Sequence, residues 1–209
     1  HSVNDPTYPK LVTVGSANFD SVVGDKAATL GKLVGVIRDA AHQGCDLVVF
    51  PELALNTWGE CEECASKGRP CEWHLDQAEL IPGPSTETVT KVARELDIHV
   101  IFGMEERDLV RPEVLYNSAV LIAPEGVVGA YRKIHLGIPL ETNRFTPGDQ
   151  VPVFETKLGP IGISICYDFY NNPELSRILA LKGARILVNP TGSSDLPGKA
   201  KIITYTTLV

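Results

Sequence analysis

Apolar runs of strand length alternate with amphipathic runs of helix length through the first half of the chain. Residues 10–18 and 47–50 are apolar and rich in β-branched side chains, which is typical of strands. Between them, residues 27–41 repeat leucine, valine and isoleucine at helical spacing, which predicts an amphipathic helix. A second helix is expected to begin near Ser85, its predicted N-cap, and to lead into a strand over residues 99–104.

The second half pairs apolar segments across turn signals. The expected strands are residues 115–122, 127–132, 151–156 and 161–166. Pro-Glu-Gly joins the first two and Gly-Pro lies between the last two, which favours two hairpins. A helix is predicted to begin near Pro173, and residues 185–189 return as a strand. This order predicts one α/β layered domain over residues 1–209 with a mixed sheet.

The composition and net charge indicate which kinds of binding partner do not suit this chain, namely nucleic acid and membranes. The 209 residues are 44% hydrophobic and 22% charged, which suits a single globular domain. A formal charge of −7 argues against nucleic acid and anionic membranes, because phosphate binding needs clustered Lys and Arg. No apolar run approaches the roughly 20 residues of a membrane span. The five cysteines are an odd number, which fits reduced thiols and a cytoplasmic location.

Three polar residues stand at the C-terminal ends of apolar strands. Glu52 follows LVVFP, Lys133 follows VVGAYR, and Cys166 ends IGISIC. Singly, each has an ordinary explanation: a buried small side chain for the cysteine, and contact with solvent for the glutamate and the lysine. In α/β folds, however, strand ends bring distant segments together at one crevice. The combination therefore marks them as candidates for a shared site.

The segments around these residues resemble the nitrilase, or carbon–nitrogen hydrolase, superfamily. They read FPELALNTW, YRKIHL and GISICYDFYNNPELSRILALKGARILVNPTG, and the likeness extends over residues 10–191. The resemblance implies a four-layer α–β–β–α sandwich and a catalytic triad of Glu52, Lys133 and Cys166. It also places a second glutamate of the family at Glu141.

The resemblance implies amide hydrolysis without a cofactor. Cys166 would be the nucleophile, and Glu52 would take its proton, pass it to the leaving ammonia and then activate water. Lys133 and the backbone N–H of Tyr167 would stabilise the oxyanion, and Glu141 would orient Lys133 or the substrate nitrogen. We expect a nearby ammonium group or proton acceptor to increase the reactive fraction of the thiol.

The residues after the cysteine favour a small, uncharged amide as substrate. Nitrile-cleaving members resemble one another in a Trp-Glu pair at this point, whereas this chain has Tyr167 and Asp168. Members that bind carboxylated substrates tend to have an arginine within the next few positions, where this chain has none. Trp58, Tyr167 and Phe169 are expected to line the substrate pocket. A nitrilase or an N-carbamoyl amidohydrolase is the alternative.

A Cys-His-Asp protease is a second interpretation of the cysteine. His135 and Asp168 could join Cys166 in a catalytic triad, but such triads are established by geometry and not by the presence of the residues. His135 lies in a segment that the superfamily resemblance already explains. We therefore favour the Glu-Lys-Cys arrangement.

Another kind of function, metal binding, is suggested by the loop over residues 59–81. Cys61, Cys64, Cys71 and His74 have the spacing C-x₂-C-x₆-C-x₂-H, and two such pairs can close a tetrahedral zinc site in an interaction module. The alternative is an irregular surface loop with three free thiols. We favour no metal, because the pairs are close together and the superfamily chemistry needs none.

The resemblance also bears on chain length and assembly. Superfamily members continue with a further helix and strands where this chain reaches Val209. We therefore expect a C-terminally incomplete carbon–nitrogen hydrolase domain. By analogy with the superfamily, we expect a homodimer or a larger homo-oligomer.

Overall fold

The computed structural model describes residues 7–56 and 61–192, which form two sheets. The first sheet contains, in spatial order, β1 (Val14–Ser16), β2 (Leu47–Val49), β3 (His99–Arg107), β4 (Leu115–Ala123) and β5 (Gly126–Arg132). The second contains β6 (Val153–Phe154), β7 (Ile161–Ile163) and β8 (Ile186–Val188). In the first sheet, β1, β2 and β3 are parallel, whereas β3, β4 and β5 are antiparallel. The predicted mixed sheet is confirmed.

Helices pack against both sheets, and the described residues contain seven helices in all. They are α1 (Lys26–His42), α2 (Glu62–Lys67), α3 (Glu72–Gln77), α4 (Pro84–Leu96), α5 (Pro139–Thr142), α6 (Tyr167–Tyr170) and α7 (Pro173–Leu181). Helices α1 and α4 pack together against the first sheet, and α7 packs against β7 and β8. The layers therefore follow the order α–β–β–α, as the resemblance implied. No helix within the described residues has the length and apolar character needed to cross a membrane.

Two apolar clusters hold the layers together. In the first, Leu33 and Ile37 of α1 and Val89 of α4 pack against the face of the first sheet that the helices cover. The second lies between the sheets and includes Leu121 of β4 and Ile163 of β7. Strand β4 is buried along its whole length because it has a helical layer on one face and the second sheet on the other. This explains why its sequence is almost continuously apolar.

Several predicted boundaries need correction. The first strand is confined to β1, and α4 has Gly83 rather than Ser85 as its N-cap. Pro84 takes the first helical position, where its missing N–H costs nothing, and the Ser85 hydroxyl donates to Glu79 at 2.8 Å. The described part of the predicted irregular loop, residues 61–81, forms α2 and α3. Cys166 lies beyond β7 rather than within it and is the N-cap of α6.

Candidate active site

Glu52 is held by a tight turn against the neighbouring strand. The turn follows β2 and lies on Gly103 of β3, whose carbonyl accepts a hydrogen bond of 3.0 Å from Leu55 N. Gly103 N donates to the Pro51 carbonyl at 3.2 Å. A Cβ atom at position 103 would collide with the backbone N of Leu53 and lie 2.8 Å from the backbone carbon of Glu52. Only glycine permits this approach, which leaves the Glu52 side chain 2% exposed.

Lys133 bridges two buried carboxylates. It follows β5, and its Nζ donates to Glu52 Oε1 at 2.8 Å and to Glu141 Oε1 at 2.5 Å. Asn117 of β4 donates from Nδ2 to the same two oxygens, at 2.8 Å and 3.3 Å. The second oxygen of Glu141 accepts from the backbone N of Gly137 at 2.8 Å. A buried ammonium group thus lies between two carboxylates whose positions are fixed by further donors.

Cys166 reaches this group from the second sheet. Its backbone has a positive φ of 48°, and its N–H donates to the Pro190 carbonyl at 3.0 Å and to Asn189 Oδ1 at 3.2 Å. Its sulfur lies 2.8 Å from the Tyr170 hydroxyl oxygen and 4.0 Å from the Gly192 carbonyl oxygen. A side chain held in this sparsely populated backbone region is a common feature of functional sites.

The loop after β8 connects the cysteine to the carboxylate. Gly192 N donates to Glu52 Oε2 at 3.3 Å, while its carbonyl faces the thiol of Cys166. Glu52, Lys133 and Cys166, which are far apart in sequence, therefore meet in one buried group. This is the convergence that the sequence analysis predicted.

The pKa values in the group are shifted by burial and by the neighbouring charges. Burial works against the Lys133 ammonium, but Glu52, Cys166 and Glu141 outweigh it, so the pKa of Lys133 is raised. Burial also raises the pKa of Glu52, against the opposing effect of Lys133. Burial, followed by the charge of Glu52, raises the pKa of the Cys166 thiol to about 12, although Lys133 and Tyr170 act in the opposite direction.

These shifts correct one expectation about the thiol. The Lys133 ammonium favours the thiolate, as expected, but burial and then the charge of Glu52 outweigh it, so the neighbouring proton acceptor opposes thiolate formation in the resting site. The resting sulfur is therefore protonated at neutral pH.

Asp168, which follows Cys166 in the chain, is hydrogen-bonded to the segment around Lys133. Its buried carboxylate accepts hydrogen bonds from the Tyr131 hydroxyl at 2.6 Å and from the backbone N of His135 at 2.8 Å. His135 Nδ1 lies 2.8 Å from the same Asp168 oxygen. Among the described residues, the hydrogen-bond partners of the thiol do not include His135. The Cys-His-Asp protease arrangement is therefore not formed.

A family comparison identifies the fold around this group. The carbon-nitrogen hydrolase family model matches residues 13–207. The chain belongs to the carbon-nitrogen hydrolase family.

This chain is similar to proteins that carry several activity names. It is 35% identical to a nitrilase of Pyrococcus abyssi over 86% of this chain and 64% of the relative. It is 33% identical to an omega-amidase of Bos taurus over 84% of this chain and 62% of the relative. The chain thus spans less than two thirds of the length of these two proteins.

Solved structures share the fold. An amidase from Nesterenkonia sp. superposes with a TM-score of 0.75 at 22% identity, over 90% of this chain and 68% of that chain. At this level of identity the likeness concerns the fold alone.

The structure places the three residues predicted to line the substrate pocket differently. Trp58 lies outside the described residues. The Tyr167 ring packs against Gly137, where an added Cβ would lie 3.1 Å away. Phe169 is half-buried on α6, and the aromatic side chain that contacts the thiol is Tyr170. Tyr170 follows Cys166 by one helical turn, and this spacing is the signal that could have identified it.

Asn117 was also missed by the sequence analysis. It is a buried polar residue in the middle of the apolar strand β4. Buried amides are rarely left without partners, so a lone asparagine in such a strand indicates a hydrogen-bonded site.

Within the described residues, one group of side chains could hold a metal ion. The potential ligand atoms of Cys61, Cys64, Cys71 and His74 all lie within 4.8 Å of one another. The three cysteines are free thiols. These are the four residues that the C-x₂-C-x₆-C-x₂-H spacing singled out.

Proposed function

We propose that this protein hydrolyses a small, uncharged amide to a carboxylic acid and ammonia through a thioester on Cys166. One observation carries the proposal: the Lys133–Glu52 ion pair is buried beside the thiol of Cys166. The activity names of the relatives, nitrilase and omega-amidase, agree with chemistry at a carbon–nitrogen bond.

Acylation begins with proton transfer to Glu52. The raised pKa of the thiol supports general-base catalysis over a preformed thiolate, because a protonated thiol needs a proton acceptor as it attacks. Glu52 takes the proton as the Cys166 sulfur forms a bond to the carbonyl carbon. The negative charge then develops on the carbonyl oxygen, where Lys133 and the backbone N–H of Tyr167 stabilise it.

The tetrahedral intermediate collapses with loss of ammonia. Protonated Glu52 gives its proton to the leaving nitrogen, the C–N bond breaks, and the acyl group remains on sulfur as a thioester. Water then attacks the thioester and loses a proton to Glu52. The C–S bond breaks, the carboxylic acid leaves, and the proton returns to Cys166, so the enzyme is restored.

Glu141 acts in this scheme by holding Lys133. Its carboxylate accepts a hydrogen bond from Lys133 Nζ and another from the backbone N of Gly137. The second carboxylate keeps the ammonium charged and in place when Glu52 becomes protonated and its negative charge is lost. We therefore assign Glu141 a positioning role.

The surroundings of the site favour an uncharged substrate. Arg144 follows α5, and its buried guanidinium donates to Glu105 at 3.2 Å, so this cation is already paired with a carboxylate. Arg177, on α7, is exposed to solvent. A carboxylate buried without a cation would cost several kcal/mol, which disfavours acidic substrates.

The mechanism is tested by ammonia release and by trapping the acyl group. Cys166→Ala should lose detectable turnover and keep its thermal unfolding midpoint, because little volume is removed. Cys45→Ala is the matched control, since Cys45 packs behind α1 and should be dispensable. After an acid quench, mass spectrometry should find the acyl group on the Cys166 peptide. Wild-type ammonia release by Cys166→Ala would refute the mechanism.

The substrate class is tested with three matched compounds. We expect kcat/KM to be highest for a short neutral amide, lower for its nitrile analogue, and lowest for an amide that carries a distal carboxylate. A preference for the nitrile would instead support a nitrilase. A preference for the acidic amide would contradict the neutral pocket.

A further inference from the structure

Two short helices, α2 and α3, begin with the same arrangement of metal-binding side chains. Cys61 is the N-cap of α2 and Cys64 its third residue, while Cys71 and His74 occupy the equivalent positions of α3. Residues three apart in a helical turn lie on the same face. Each helix therefore presents two ligands together, and the two pairs face each other with all ligand atoms within 4.8 Å.

The distances fit a tetrahedral ion bound by sulfur. The Cys61 and Cys71 sulfur atoms lie 3.8 Å apart. In a tetrahedral site with Zn–S bonds of about 2.3 Å, two sulfur ligands are separated by about 3.8 Å. The bonded sulfurs of a disulfide would be only about 2.05 Å apart. Cys64, Cys71 and His74 are each no more than 3% exposed, so water would compete poorly at such a site.

The neighbouring groups orient these ligands. His74 Nδ1 lies 2.9 Å from a carboxylate oxygen of Glu105, a fully buried residue on β3, which leaves Nε2 to bind a metal. Metal-binding histidines commonly donate their other ring N–H to a carboxylate in this way. The backbone N of Cys71 also donates to the Cys64 sulfur at 3.3 Å, a contact that stabilises a thiolate ligand.

We propose that Cys61, Cys64, Cys71 and His74 bind one structural zinc ion. Three thiolates and one imidazole complete a tetrahedral shell, and a shell of four protein ligands is typical of structural rather than catalytic zinc. The ion would join α2 to α3 and, through His74 and Glu105, fasten both helices to β3.

The site has a direct structural connection to the catalytic group. Helix α2 contacts α5, which carries Glu141, and Glu105 also accepts a hydrogen bond from Arg144, which follows α5. Zinc would therefore stabilise the segment from which Glu141 reaches Lys133. The zinc itself takes no part in the hydrolysis.

Metal content of the full-length protein tests the proposal. The protein is produced with added zinc, purified under reducing conditions without chelators, and analysed by mass spectrometry for metals. We expect about one zinc ion per chain in the wild type, in Cys45→Ser and in Cys166→Ala. Cys61→Ser combined with Cys71→Ser should lose it. A wild type without zinc, or a double variant that retains it, would overturn the proposal.

If the double variant does not fold, measurements on the wild-type protein still test the zinc site. Cobalt exchanged for zinc should show the intense visible bands of tetrahedral thiolate coordination. Zinc should also protect Cys61, Cys64 and Cys71 from alkylation, and a chelator should remove that protection while lowering the thermal unfolding midpoint. Octahedral cobalt spectra, or alkylation that is unchanged by the chelator, would refute the site. Because Cys166→Ala should retain zinc, the result is independent of the proposed amidase mechanism.

Discussion

At the scale of single residues, the candidate site consists of one buried ammonium group paired with two buried carboxylates. Lys133 interacts with both Glu52 and Glu141, and all three are at most 2% exposed. Burial and then the charge of Glu52 raise the pKa of Cys166, so the residue that we propose as the base also helps to keep the resting thiol protonated. Removing any one member should therefore change the pKa values of the others.

Glu52→Gln should lower the pKa of Cys166 from about 12 while also lowering kcat. The substitution removes a negative charge beside the sulfur, so the thiolate becomes easier to form, but the proton acceptor is lost. The pH dependence of Cys166 alkylation should shift to lower pH than in the wild type, and ammonia release should fall by about 10²-fold or more. A variant with wild-type kcat would contradict the role of Glu52.

Lys133→Ala should reduce both activity and stability. Loss of an oxyanion donor typically costs about 10²–10³ in kcat. Two buried carboxylates would also lose their cation, which should destabilise the fold by about 3–5 kcal/mol. Urea unfolding measures this, with Lys157→Ala as the control, because the Lys157–Glu125 pair is largely exposed and should contribute little. Equal stability of the two variants would argue against the buried network.

At the scale of elements, the ends of strands carry the candidate residues, and the strands fix their positions through backbone contacts. The turn after β2 is hydrogen-bonded to β3 through Gly103, and this contact sets the depth at which Glu52 enters the site. Similarly, Asp168 in α6 accepts hydrogen bonds from the backbone N–H groups that follow Lys133. The site is therefore sensitive to substitutions that do not touch it.

Gly103→Ala should impair the enzyme although residue 103 has no catalytic side chain. The added methyl group would collide with the backbone at Leu53 and displace Glu52, and a shift of 1 Å can cost about 10²-fold in rate. Gly35→Ala is the control, because residue 35 in α1 has free space and alanine favours helices by roughly 0.5–1 kcal/mol. Steady-state kinetics and thermal unfolding compare the two. Unchanged kinetics in Gly103→Ala would show that the turn tolerates displacement.

At the scale of the whole molecule, the site depends on how the two sheets pack. Glu52 and Lys133 follow strands of the first sheet, whereas Cys166 follows β7 of the second. The apolar cluster between the sheets, which includes Leu121 and Ile163, sets their separation. The packing of this cluster therefore controls the distance from Glu52 to Cys166.

Ile163→Ala should weaken both the fold and the activity. Ile163 is fully buried between the sheets, so its truncation should cost about 2–5 kcal/mol and loosen the position of Cys166. Leu181→Ala is the control, because this leucine at the end of α7 is 77% exposed. Urea unfolding and kcat should fall only for Ile163→Ala. Loss of stability with full kcat would mean that the remaining contacts of Cys166 suffice to position it.

The sequence by itself determined most of the elements and the three central candidates. The local sequence pattern predicted α1 from its helical spacing, the β4–β5 hairpin from its Pro-Glu-Gly turn signal, and a helix near Pro173, where α7 begins. It failed at Ser85, where a hydrogen bond to Glu79 competes with helix capping. The cytoplasmic location and the homo-oligomer remain predictions; light scattering on the purified protein would measure the latter.

Only the tertiary structure decided the contacts between distant segments. It brought Asn117 to Glu52 and Glu141, set Tyr170 against the thiol, paired His135 with Asp168, and gathered three cysteines and His74 into one cluster. The protonation of Cys166 likewise depends on burial and on a carboxylate more than a hundred residues away in the chain. Local patterns follow from the geometry of one backbone segment, whereas hydrogen bonds and pKa values depend on which segments the folded core brings together.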